Sequence, residues 1–220
     1  MTIRERLKDI RQTTSPANVT LIAVSKTQPL AAIREAYAAG QRAFGESRPQ
    51  ALREKAAQLP ADIEWHFIGH LQSNKVKLVC GLAHTIHSGD SPALLRTLND
   101  EAQRRQCVQR CLLQVRIAQE PTKFGFMPDH LRQLSAEGFF TTLPHLQIAG
   151  LMGMATLTDN TAQIRAEFRT LRQLFAEMKQ TAFLDNPAFC ERSMGMSGDY
   201  TIAIEEGSTM IRIGTLLFTH

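Results

Sequence analysis

No apolar run in this chain approaches the roughly 20 residues that a membrane-spanning helix needs. The N-terminus, Met1 to Arg11, alternates charge with Ile and Leu and lacks the apolar core of a signal peptide. Both absences point to the cytoplasm. The four cysteines, Cys80, Cys107, Cys111 and Cys190, form no C-x-x-C pair and read as reduced thiols. Charge of one sign is scarce too: 25 Lys and Arg against 21 Asp and Glu leave a formal +4. The densest basic groups, Arg104-Arg105 and Arg4/Arg6/Lys8/Arg11, fall in helical stretches and read as solvated faces, so no nucleic-acid partner is expected. There is no G-x-S-x-G nucleophile elbow, and Gly150-Leu151-Met152-Gly153 has the wrong spacing for a dinucleotide fingerprint. Metal patterns are thin. Gly69 and a β-like run argue against a helical zinc motif at His66 and His70, and His84 with His87 has no third ligand nearby in sequence, so no metal is expected.

What is present is a repeating alternation. Val19 to Val24 is a β-branched apolar run, and Pro29 opens a helix that stops at Gly40. Strands are predicted at 42–44, 64–68, 83–87, 108–117, 146–152, 189–193 and 210–213. Helices are predicted over 48–58, from Ser73, over 91–106, 128–137, 160–180 and 199–206, with an amphipathic helix over the first eleven residues and a loop over 13–18. About eight β-then-α units in 220 residues predict one domain, residues 1–220, folded as a (β/α)8 TIM-type barrel; an open doubly wound sheet is the alternative.

In such barrels chemistry sits at the C-terminal ends of the strands. Lys26 directly follows the first strand. On position alone a surface lysine closing a strand is the plainer reading. Partial desolvation would instead free its amine to attack a carbonyl. The two late loops favour that second reading. Ser193-Met194-Gly195-Met196-Ser197-Gly198 lets backbone approach an anion, and Arg212-Ile213-Gly214-Thr215 adds N–H donors and a hydroxyl. An aldehyde-reactive lysine beside a phosphate cradle is what pyridoxal 5′-phosphate requires. Met152, Met154, Met194 and Met196 read as barrel filling, and Tyr37 as packing.

From Val19 to Phe218 the chain resembles the YggS/PROSC family of pyridoxal phosphate homeostasis proteins. The motifs are Leu21 to Thr27, Phe44-Gly45-Glu46, Glu64 to Gly69 with Leu71 to Lys75, Lys123-Phe124-Gly125, Gly150-Leu151-Met152, Ser193 to Ser197 and Gly207 to Gly214. The resemblance implies a fold similar to the N-terminal barrel of alanine racemases without their second domain. It implies that Lys26 forms the internal aldimine (Schiff base), that Arg212 faces the pyridine nitrogen, and that Ser197, Gly214 and Thr215 hold the phosphate. Ser193 and His66 would line the pocket, and Lys75 and Lys123 match family lysines near the mouth. Ser47 stands where the family usually has Asn beside the cofactor, which puts that contact in question. Thr219 replaces a usual Gly.

The function so implied is a carrier or buffer in vitamin B6 homeostasis, a cytoplasmic monomer with little or no catalysis and with pyridoxal-phosphate-dependent apoenzymes as recipients. An arginine against the pyridine nitrogen keeps that nitrogen an acceptor, and Tyr37 and Tyr200 are the only tyrosines available as a second acid/base. Two enzyme readings stand beside it: an amino-acid racemase with Lys26 as one base, and a cofactor-free Schiff-base aldolase.

Overall fold

Each strand sends alternate side chains to opposite faces, and the two sets differ in kind. The computed structural model describes residues 1–15, 17–118 and 124–218. Its strands are β1 (Thr20–Val24), β2 (Ala43–Glu46), β3 (Glu64–Phe67), β4 (Thr85–Gly89), β5 (Gln109–Val115), β6 (Leu146–Gly153), β7 (Glu191–Ser193) and β8 (Met210–Ile213). One set of side chains, with Leu21, Ala23, Phe44, Trp65, Phe67, Ile86, Leu113, Leu151 and Ile211, joins the helices in a large apolar cluster. Alternate residues, Ile22, Ala43, Leu112, Ala149, Met152 and Met210, form a second, smaller cluster. These six come from strands on opposite sides of the sheet, so they fill its interior. Met152 is part of that filling, as expected, and Met154 packs against it.

The strands are all parallel and pair in chain order into a closed barrel. Closure is made by β1 and β8, in register from Thr20 opposite Met210 to Ala23 opposite Ile213. This excludes the open doubly wound sheet. Around the barrel run α1 (Ile3–Thr14), α2 (Leu30–Ala38), α3 (Pro49–Ala56), α4 (Pro92–Arg104), α5 (Pro128–Ala136), α6 (Thr161–Gln180), α7 (Tyr200–Glu205) and α8 (Thr215–Phe218). Proline starts α3, α4 and α5, where its missing N–H costs nothing. A capping box of Thr2 and Glu5 opens α1, and Asn160 caps α6. Among the described residues, no helix is long and apolar enough to cross a membrane.

Several boundaries differ from the sequence expectation. The first helix runs on to Thr14, into the predicted loop, because Thr14 and Ile10 are buried on its inner face. The helix expected from Ser73 is a 3₁₀ segment, Ser73–Leu78, with no side-chain cap at Gln72. The seventh strand keeps only three of its five predicted residues. The closing helix α8 has no counterpart in the sequence reading; Leu217 and Phe218 dock it on the core. Four of the six clustered basic residues are bound to neighbours. Arg104 and Arg105 both pair with Glu101, Arg11 donates to the Ala39 carbonyl, and Arg6 donates to the Leu217 carbonyl.

One glycine is fixed by the sheet itself. The register of β5 and β6 shifts beside Cys111 and Leu112, and Gly150, past that shift, has φ +147°. A Cβ there would lie 1.9 Å from the Glu191 carbonyl oxygen of β7. Gly150→Ala should therefore destabilise the fold by about 2–5 kcal/mol through backbone strain and overpacking. Urea unfolding checks this. Wild-type stability in the variant would contradict the close β6–β7 approach.

Candidate functional site

Lys26 follows β1 through Ser25, and a buried cluster beneath fixes that turn. The Ser25 hydroxyl donates to Glu46 Oε1 at 2.6 Å, and Lys55 Nζ donates to the same oxygen at 2.7 Å and to the Ser25 carbonyl at 2.8 Å. Glu46 is buried and the Lys55 side chain nearly so. The chain then turns sharply, with Gln28 N donating to the Ser25 carbonyl and Thr27 at φ +67°. Lys26 is left exposed, with its amine in no hydrogen bond or ion pair among the described residues. An amine so placed is available to an electrophile.

Inside the barrel, polar side chains from four strands form one chain. Arg212 of β8 donates from Nη1 to Ser193 Oγ at 2.5 Å and from Nη2 to the Gly153 carbonyl at 3.1 Å. Ser193 Oγ is 3.0 Å from His87 Nδ1, and His87 Nε2 is 2.9 Å from His66 Nδ1. All four are buried. Burial lowers the Arg212 guanidinium from 12.5 to about 10, with Asp199 opposing, so it stays charged at neutral pH. Burial, with His84 and Arg110 nearby, takes His66 down to about 3. Burial first, then His66 and Arg212, holds His87 well below its ordinary value. Both imidazoles are neutral.

The late loops meet at the mouth. Ser197 Oγ accepts from Leu216 N at 3.5 Å, which joins the turn after β7 to the turn Gly214-Thr215 after β8. Gly195, at φ +98°, packs so closely that a Cβ would lie 2.6 Å from Ala203. A Cβ on Gly198 would meet nothing within 4 Å, so this backbone is open to a ligand. Asp199 accepts from Met196 N at 2.6 Å, so the start of α7, expected to face an anion, already carries a carboxylate. An anion at this mouth is better served by Ser197 and the Gly214-Thr215 turn.

Ser47 is half-buried after β2, and its carbonyl oxygen is where a Cβ on Gly69 would sit, 2.1 Å away. The loops after β2 and β3 therefore touch backbone to backbone. Lys75 is exposed on the 3₁₀ segment, and Lys123 lies outside the described residues. His70 stacks on Phe124, with centroids 3.8 Å apart, and its Nδ1 lies 3.0 Å from Asp90. Surface hollows of about 730 and 660 Å3 lie between helices on the outer shell, the second lined in part by Gln28 of the Lys26 turn. The candidate site residues Lys26, Ser193, Ser197, Arg212, Gly214 and Thr215 lie on or just after β1, β7 and β8. His66 joins them through His87.

Three residues of this arrangement escaped the sequence reading. Glu46 was visible only as a motif letter. Lys55 sits in a helix whose charges look solvated. His87 was weighed only as a metal ligand. Its two-residue offset from Thr85, which lies opposite His66 on β3, is the signal that would have turned it inward.

The family described as alanine racemase, N-terminal domain, matches residues 1–220. The pyridoxal phosphate homeostasis protein of Aquifex aeolicus is 41% identical over 199 residues, covering 90% of this chain and 85% of that protein. PipY of Synechococcus elongatus is 42% identical in its solved structures, which cover 99% of this chain and 100% of that one. The TM-score is 0.90 without and 0.88 with PLP bound. The alanine racemase of Bartonella henselae, at 15% identity and TM-score 0.71 over 58% of its chain, shares the fold.

The support under Lys26 is testable without any ligand. Lys55→Met removes the cation from a buried carboxylate and should cost about 3–5 kcal/mol, whereas the Glu46→Gln/Lys55→Met double variant should recover most of that loss. Urea unfolding of the wild type, Glu46→Gln, Lys55→Met and the double variant checks it. An additive double variant would show that the pair is not coupled.

Proposed function

This chain belongs to the alanine racemase N-terminal domain family, alongside the pyridoxal phosphate homeostasis proteins, and on that premise we propose that it binds pyridoxal 5′-phosphate and acts in vitamin B6 homeostasis as a carrier or buffer. The single observation that carries this reading is the convergence, at one barrel mouth, of an unpaired amine, a buried permanent cation and two loops joined by a hydroxyl-to-amide hydrogen bond. That donor set fits an anionic, aldehyde-bearing heterocycle. The aldehyde condenses with amines, with loss of water, and this is the chemistry the cofactor supplies when bound. Lys26 would hold the aldehyde end. Ser197 with the Gly214-Thr215 turn would take the phosphate. Arg212 would donate to the ring nitrogen, with Ser193 fixing its fork, and Ser47 would stand beside the ring.

The same residues argue against efficient catalysis. Arginine has no acceptor, so a ring nitrogen opposite Arg212 must itself accept and remain unprotonated, which weakens it as an electron sink. A racemase also needs an acid/base on the face opposite the lysine. Tyr37 donates to Asp62 Oδ1 at 2.6 Å on the outer shell and lies under the Arg42 guanidinium. Tyr200 packs against the apolar core. Neither supplies that group. His66 and His87 are buried and committed to each other. Release of the cofactor then falls to a competing amine, such as the active-site lysine of a recipient apoenzyme, and mass action sets the free level. The free cysteines suit a reducing, cytoplasmic compartment, and this reading takes the protein to work as a monomer.

Equilibrium titration with pyridoxal 5′-phosphate tests the binding. Lys26→Ala should weaken it about 100-fold, roughly 2.8 kcal/mol. Unchanged affinity would overturn the proposal. Solvent-deuterium exchange at the α carbon of amino acids decides between carrier and racemase. The carrier reading expects a rate no higher than with free cofactor, and Lys26-dependent turnover well above that would establish an enzyme.

A further inference from the structure

At the opposite end of the barrel from Lys26 lies a second cluster, which shares only His66 with the candidate site. We propose that Glu64, His66 and His84 form a binding site for a divalent metal ion of the zinc class. Glu64 opens β3, and His66, two residues on, points to the same face. His84 directly precedes β4, whose first residue, Thr85, is in register with His66. One ligand atom from each of the three lies within 4.8 Å of the others. The sequence offered His84 and His87 no third ligand because the partners come from a neighbouring strand; His84 takes Glu64 and His66, while His87 turns towards Ser193.

The independent sign of a ligand is His66 Nε2. It is buried, with no hydrogen-bond partner among the described residues. A polar atom orphaned in a protein interior is costly unless something satisfies it. Its other nitrogen is held by His87 at 2.9 Å, and His84 Nδ1 lies 3.0 Å from Thr85 Oγ1. Metal-bound imidazoles are held in the same way, one nitrogen on the ion and the other on a supporting group. Two imidazoles and a carboxylate are a zinc-type donor set, with a fourth position left for water. Metal–ligand distances of about 2.0–2.1 Å call for ligand atoms roughly 3.4 Å apart. Glu64 and His84 are exposed and free to close that gap. The nearby cation, Arg110, is paired with Glu191 at 2.8 Å, so it does not oppose the ion unscreened.

Occupancy would also order the interior. With Nε2 on the ion, the His66 proton sits on Nδ1 and is donated to His87 Nε2. His87 then donates from Nδ1 to Ser193 Oγ, the atom that Arg212 touches. The base of the barrel thus fixes the direction of every hydrogen bond up to Arg212.

The test is calorimetric titration of the chelator-treated full chain with Zn2+ at neutral pH. One ion per chain is expected, with affinity reduced at least about tenfold in His84→Ala and in Glu64→Gln. Both side chains are exposed, so thermal unfolding should confirm that these variants fold. His66→Ala opens a cavity, so His66 is read instead by 15N NMR of the wild-type histidines, where Zn2+ should shift Nε2 of His66. No saturable binding overturns the proposal. So does binding that both variants retain, as does an Nε2 resonance that does not move.

Discussion

The pairing of the first strand with the last is the constraint on which the site depends. Ile22 lies opposite Arg212 and Ala23 opposite Ile213, so the chain's early lysine turn and its late glycine turn end side by side. Gly214 packs over Val24 so closely that a Cβ would lie 3.3 Å from the valine Cβ. Lys26 is two residues beyond that valine. Residues about 190 positions apart in sequence thus become neighbours because the sheet closes; in an open sheet, β1 and β8 need not meet. Closure also removes both sheet edges, which would otherwise expose unpaired backbone.

The barrel's interior combines a polar chain from β3, β4, β7 and β8 with an apolar filling from β1, β2, β5, β6 and β8. A buried guanidinium is costly unless its N–H groups are met. Ser193 and the Gly153 carbonyl meet two of the Arg212 donors, and His87 holds the serine in turn. The neutral histidines extend that support without adding charge. Beneath Lys26 the same logic holds in ionic form, with Glu46 and Lys55 paired at 2.7 Å. The Lys26 amine itself has no hydrogen bond or ion pair among the described residues. The fold therefore places its fixed polar groups around a lysine that stays available.

The alternation of β-branched runs with proline-started helices made the barrel legible in the sequence, because a parallel strand needs a crossover and each crossover declares itself at its ends. Lys26, Ser193, Ser197, Arg212, Gly214 and Thr215 were legible as strand-end residues of that barrel. Glu46 and Lys55 were not, since their pairing is set by how α3 packs back on β2 and β3, which no local pattern encodes. The 3₁₀ segment at Ser73–Leu78 and the short β7 fell to the same limit: tertiary packing overrode local propensity. His87 could be read only once the inward parity of β4 was known.

The most direct measurement is borohydride reduction of the full chain after exposure to pyridoxal 5′-phosphate, followed by peptide mapping of the phosphopyridoxyl group. The account expects one modified residue, Lys26, and no label when that residue is alanine. A label on Lys55, Lys75 or another lysine in place of Lys26, or no stoichiometric label at all, would contradict it.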